Sequence, residues 1–169
     1  VGNVLNTIKV KYHEFLDLKN EGFIDIDNAT IFKIASIIRR EKPQIIYTPH
    51  LNESHGDHVS VSKAVIKSIN IAGMGIYPIL GKVKHKVIKI RFYEIWTPLQ
   101  KFNLAFDITN FIKGKKKLIN IYASQVKKRD YASAIISLNK YRAEMAGYKG
   151  KYHEVFFEEL INPELIEDS

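Results

Sequence analysis

Cysteine is absent from the 169 residues. This excludes disulfide staples and cysteine-ligated zinc within the chain and fits a reducing compartment, so a cytoplasmic location is expected. No apolar run approaches the roughly 18 residues of a membrane span, and no charged-then-apolar leader opens the sequence. Internal repeats, low-complexity tracts and Gly/Ser-rich linkers are also missing, which leaves one domain over residues 1–169 as the expected organisation. Hydrophobic content of 46% and charged content of 26% are those of an ordinary globular domain. Acidic residues are outnumbered, 18 against 26 lysines and arginines, for a formal charge of +8. The excess sits in Lys82–Lys89 with Arg91, Lys113–Lys117 and Lys127–Arg129. These clusters lack the interleaved aromatics and glycines of an RNA-binding sheet, so they read as solvated helix ends and loops, with nucleic-acid binding only a minor alternative.

The order of elements points to an α/β fold. Thr7–Leu18 partly alternates apolar and polar residues and predicts a strand that contains His13. Asp27–Glu41 predicts an amphipathic helix, with Asp27 or Asn28 as cap, Ile31, Ile34, Ala35 and Ile38 on one face, and Arg39-Arg40 in the last turn. Pro43 stops it. The β-branched run Gln44–Tyr47, set between Pro43 and Pro49, predicts a strand, and Val59–Ile71 predicts the next helix. Further strands are expected in Val83–Ile95, Asn103–Thr109 and Tyr152–Glu158. Helices are expected in Asn110–Gln125 and in Asp130–Ala146, the latter with Ala134, Ile135, Leu138 and Tyr141 inward. The acidic tail after Glu159 is expected to fray. Alternation of this kind implies a Rossmann-like three-layer αβα arrangement around a mostly parallel sheet.

Between the strand 44–47 and its following helix lies Thr48-Pro49-His50-Leu51-Asn52-Glu53-Ser54-His55-Gly56-Asp57-His58, three histidines and two carboxylates in eleven residues. In a parallel sheet this loop falls at the carboxyl edge, where α/β folds place ligands. Neutral imidazole is a common zinc ligand, so one or both of His55 and His58 could bind metal, while Asp57 could accept an imidazole N–H and fix that ring. The plainer reading is a polar loop whose aspartate caps the next helix. His50 is placed equally by a metal pocket or by hydrogen bonds within the loop. Glu53 reads as a solvated carboxylate. Tyr93, Glu94 and Trp96 suit either a sugar subsite or a core strand, and Lys115 and Gln125 read as structural.

An apolar strand ending in Thr48-Pro49-His50, then His55-Gly56-Asp57-His58, then a helix, resembles the second motif of the PIG-L/LmbE-type N-acetylglucosaminyl de-N-acetylases. Glu94-Ile95-Trp96, Asp107-Ile108-Thr109, the lysine-led Lys115–Gln125 ending Tyr122-Ala123-Ser124-Gln125, Arg142-Ala143, Gly147 and Glu154-Val155-Phe156 continue the likeness, which runs from about Tyr12 to Phe157. The resemblance implies a metal-dependent hydrolase that removes the N-acetyl group from an N-acetylglucosamine-containing small molecule or glycoconjugate. It implies His58 as a metal ligand, His55 as general acid or electrophile, and Asp57 as the group that orients His55. Zinc is the implied metal, with Fe(II) an alternative for such ligands. The family's other two ligands come from a His-Pro-Asp-Asp motif after its first strand, and that motif is absent from these residues. With Val1 in place of an initiator methionine, the chain reads as lacking an N-terminal βα unit. Leu16–Gly22 looks like a degenerate form of the family's substrate-facing turn, its aspartate position falling on Asn20 or Glu21. The alternative is a catalytically silent deacetylase-like domain that binds a sugar phosphate or another anion.

Overall fold

Local signals account for the first long helix. In the computed structural model, which describes residues 2–18, 26–122, 129–147 and 149–165, the Asp27 carboxylate accepts from the Thr30 N–H at 2.7 Å and starts the helix Asn28–Glu41. Lys42, in the left-handed region at φ 49°, returns its N–H to the Ile38 carbonyl before Pro43 turns the chain. In chain order the elements are α1 Gly2–Ile8, α2 Asn28–Glu41, β1 Ile45–Pro49, α3 Gly56–Gly73, β2 Lys89–Tyr93, β3 Leu104–Asp107, α4 Ile112–Ile121, α5 Tyr131–Ala146 and β4 His153–Leu160. The strand order is β1-β2-β4-β3.

By contact density the chain divides into two compact units, residues 16–104 with 156–169 and residues 1–15 with 105–155. The first of these holds the principal core. Ile31, Ala35 and Ile38 of α2, Ala64, Ile69, Ile71 and Ala72 of α3, and Ile90 and Phe92 of β2 are buried together. Ala35 and Ala72 are wholly buried, and small residues of this kind let two helices approach closely. Two serines fix α3 along its own axis. Ser62 hydrogen-bonds the Pro49 carbonyl and the Thr48 hydroxyl at the end of β1, while Ser68 donates to the Ile31 carbonyl of α2 at 3.0 Å. Arg39, also buried, turns away from the last turn of its own helix. Its guanidinium donates to the carbonyls of Ile71 and Ala72 at the end of α3 and to those of Met74, Leu80 and Gly81 in the connection that follows.

The α/β class is as expected, and one part of the topology is corrected. β1 and β2 are parallel, with Thr48 opposite Phe92 and Pro49 opposite Tyr93. β4 runs antiparallel to β2, so the sheet is mixed rather than mostly parallel. Strand direction depends on which end of the sheet a connection returns to, and hydrophobic period carries no trace of that. The antiparallel register sets Arg91 directly opposite Glu158, and the two side chains meet at 2.6 Å.

In the other unit, α5 is capped by Asp130, which accepts from the Ser133 N–H at 2.9 Å, and ends at Gly147 in the left-handed region. Its inward face is rotated from the expected one. Ala132, Asn139, Arg142 and Ala143 are buried, whereas Ala134 and Tyr141 are exposed. Polar anchoring explains the rotation: the Asn139 amide donates to the His153 carbonyl and its oxygen accepts from Lys115, which also pairs with Glu154. Lys115 is therefore held in a structural network. The expected strand at Thr7–Leu18 is not formed. Gly2–Ile8 is helical, residues 10–18 have no regular structure, and Ile8, Val10, Tyr12 and Phe15 are exposed. Alternation makes a strand only where a neighbour completes the ladder, and none of the described strands pairs with this segment. His13 lies edge-on to the Phe15 ring.

Candidate functional site

Because β1 and β2 are parallel, both release the chain at the same edge, and the two loops that follow, 50–55 and 94–101, meet there. The His50 N–H donates to the Tyr93 carbonyl at 3.0 Å, and its ring Nε2 lies 2.7 Å from the Thr97 carbonyl. His50 is thus a tie between the loops. A cavity of about 470 Å³ opens beside them, lined by His50, Asn52, Thr97, Leu99, Lys101 and Phe157 among others, and neither His55 nor His58 lines it.

Glu53 is the centre of the junction. Its side chain has no exposed surface, and its carboxylate accepts the N–H groups of Ser54 (2.9 Å), Ile95 (3.2 Å), Trp96 (2.9 Å) and Thr97 (2.8 Å). Burial by itself favours the neutral acid. The hydrogen bonds from Trp96, Ser54 and Thr97 outweigh it and hold the carboxyl at about 2. The reading of Glu53 as a solvated carboxylate is therefore overturned: a run of backbone amides more than forty residues downstream replaces water.

Glu53 leads into α3, whose first residues carry the remaining groups. Helix α3 begins at Gly56, with His55 in the capping position but making no side-chain capping bond. Asp57 and His58 thus lie within the first helical turn rather than before it. Asp57 does not cap the helix, but a carboxylate there is favoured by the helix dipole. The His55 and His58 rings stack with centroids 4.7 Å apart and planes 30° from parallel. Asp57 is buried, its Oδ2 3.9 Å from His55 Nδ1. His58 Nδ1 lies 3.6 Å from Glu53 Oε2 and is buried without a hydrogen-bond partner among the described residues.

The three residues expected to carry chemistry, His55, Asp57 and His58, are thus brought together on one turn with Glu53 behind them. Glu94 accepts from the Leu99 N–H at 2.8 Å and so shapes the second loop, while the Trp96 side chain is exposed beside it. Asn20, Glu21 and Gln125 lie outside the described residues. As a test of fit to a metal, His58 qualifies as a single donor, an imidazole with one buried nitrogen facing a carboxylate. Among the described residues no group of three His, Cys, Asp or Glu is placed to hold an ion. No described helix is long and apolar enough to cross a membrane.

Solved structures share this fold. A conserved protein from Thermus thermophilus superposes with a TM-score of 0.81 at 21% identity, covering 96% of this chain and 71% of that one. The 4-carboxy-2-hydroxymuconate hydratase from Pseudomonas putida gives 0.77 at 18% identity, over 95% of this chain and 69% of that one. The N,N'-diacetylchitobiose deacetylase from Pyrococcus horikoshii gives 0.77 at 20% identity, over 98% and 62%. The chain thus spans about three fifths to seven tenths of these proteins' lengths, and at such identity the likeness establishes architecture, which hosts a hydratase as well as a deacetylase. The resemblance read from the motifs is borne out by a separate finding: residues 1–69, which hold α1, α2, β1, the junction loop and most of α3, match the family model PIG-L, the GlcNAc-PI de-N-acetylases.

Proposed function

We propose that the chain contributes His55, Asp57 and His58 to the active site of a metal-dependent amide hydrolase that removes the acetyl group from an N-acetylglucosaminyl substrate. The observation that carries this reading is the packing of His55, the residue that precedes α3, with Asp57 and His58 of its first turn, at the carboxyl end of β1, inside the segment that matches the de-N-acetylase model. His58 supplies a nitrogen ligand to a divalent cation, zinc or Fe(II), and further ligands come from outside the described residues. When bound, such an ion polarises the amide carbonyl and acidifies its water.

The chain's own groups do the rest. His55, half exposed and stacked on His58, holds a proton within reach of the departing amine nitrogen, and Asp57 keeps the His55 ring turned toward it. The exposed face of Trp96 offers a platform for the apolar side of a pyranose ring. The test is acetate release from N,N'-diacetylchitobiose and from an N-acetylglucosaminyl-inositol by the intact gene product that carries these residues, with and without a chelator. Release that chelation abolishes and zinc or Fe(II) restores is the expected result. Its absence across both substrates, with metal bound, would overturn the reading.

A further inference from the structure

Glu53 and His58 each have one feature that the other explains. The Glu53 carboxylate is wholly buried and fixed from one side by the amides of Ile95, Trp96 and Thr97, and its Oε2 lies 3.6 Å from His58 Nδ1. His58 Nδ1 is buried and has no hydrogen-bond partner among the described residues. A shift of about 0.5 Å in the His58 ring would close a hydrogen bond between them. The stacked His55 ring limits how the His58 ring can swing, which favours that small approach over a flip.

A neutral imidazole carries one proton, and the bond made by one nitrogen decides which nitrogen keeps it. A carboxylate can only accept. We propose that Glu53 is the positioning residue of His58: it draws the ring proton to Nδ1, so that Nε2 presents its lone pair outward to a divalent cation. The junction then has a purpose beyond holding two loops, since the amides that fix Glu53 fix the donor atom of His58 as well. Asp57 is the other nearby carboxylate, and it lies at His55 instead. That a cation is what Nε2 meets rests on the proposed function, whereas the tautomer does not.

The test separates the two. In chelator-treated, ¹⁵N-labelled protein at about pH 8, above the ordinary histidine range, long-range ¹H–¹⁵N spectra report which nitrogen of His58 is protonated. The expected result is the Nδ1–H form. An Nε2–H form in the wild-type protein would overturn the proposal without any variant being needed. Glu53→Leu, which removes both acceptor oxygens at similar size and is checked for native far-UV circular dichroism, should shift His58 toward Nε2–H and weaken Zn²⁺ binding about 10- to 100-fold in calorimetry. An unchanged tautomer in a folded Glu53→Leu protein would also overturn it. An Nδ1–H ring in an intact gene product that binds no Zn²⁺ would sustain the role of Glu53 and refute the metal reading.

Discussion

Arg39→Met probes the packing that carries the site from behind. The methionine keeps the length and bulk of the side chain while removing every donor. In the native protein the guanidinium reaches Ala72 at 3.1 Å, Leu80 and Gly81 at 2.9 Å each, Ile71 at 3.4 Å, and the Met74 carbonyl. The cost depends on what each carbonyl retains. Ile71 still accepts from the Met74 N–H and Ala72 from the His85 N–H, so neither is orphaned, and Gly81 is exposed enough to regain water. What is lost is charge-assisted bonding, up to about 1.5–3 kcal/mol for each well-formed bond, less the relief of no longer burying a cation. The net expectation is a loss of about 3 kcal/mol, or roughly 10 °C in melting temperature for a chain of this size. Arg39→Lys keeps the charge but concentrates its donors on one nitrogen that cannot span both α3 and the 74–81 connection, and should recover only about half. Urea denaturation followed by circular dichroism measures all three. An Arg39→Met protein within about 0.5 kcal/mol of wild type would show that the buried guanidinium is no more than a surface group in effect.

Three further outcomes follow from the same geometry. His58→Ala should release metal by elemental analysis while the far-UV spectrum stays native; full metal retention would remove His58 from the ligand set. His55→Ala should slow deacetylation about 10²–10⁴-fold with metal still bound and Asp57→Asn less, whereas wild-type turnover in His55→Ala would reduce that ring to a loop residue. At Glu158, burial favours the neutral acid, but hydrogen bonds from Arg91 and Lys89 outweigh it and depress the pKa. A depressed carboxyl contributes above its unfolded value of about 4.3 and loses that contribution as pH falls through its folded value. Glu158→Gln should therefore cost about 1 kcal/mol at pH 7 and converge on wild type as pH falls through the depressed folded value, and a pH-independent difference would contradict the assignment.

What the sequence made legible divides along the reach of the forces involved. Helices α2 and α5 were readable because their signals act within a few residues: Asp27 bonds Thr30, Asp130 bonds Ser133, and Gly147 ends its helix in the left-handed region. β1 was readable because two prolines bracket a β-branched run. The grouping of His55, Asp57 and His58 was readable because four residues span barely one turn. The misses all lie at long range. The strand direction of β4 is fixed by its pairing with β2, nearly seventy residues earlier. Residues 7–18 alternate but find no ladder, and α5 turns a buried asparagine inward to meet Lys115 and the His153 carbonyl. Glu53 drew a solvated reading because nothing near it in sequence announces the three amides of 95–97. One faint sign was available: an acid followed by serine, just after a strand, in a loop otherwise rich in histidine.

The two buried serines of α3 act as dowels. A helix held only by greasy contacts can slide along its neighbours by small steps, since one aliphatic surface fits another in several registers. Ser62 is pinned to the end of β1 and Ser68 to α2, six residues further on, so any axial slip breaks both pins at once. The first turn of α3 is thereby indexed to the lip of the sheet, and His55 and His58 keep their depth there. Val65 and Ile69 then add packing to α3 without having to set the depth of the two imidazoles.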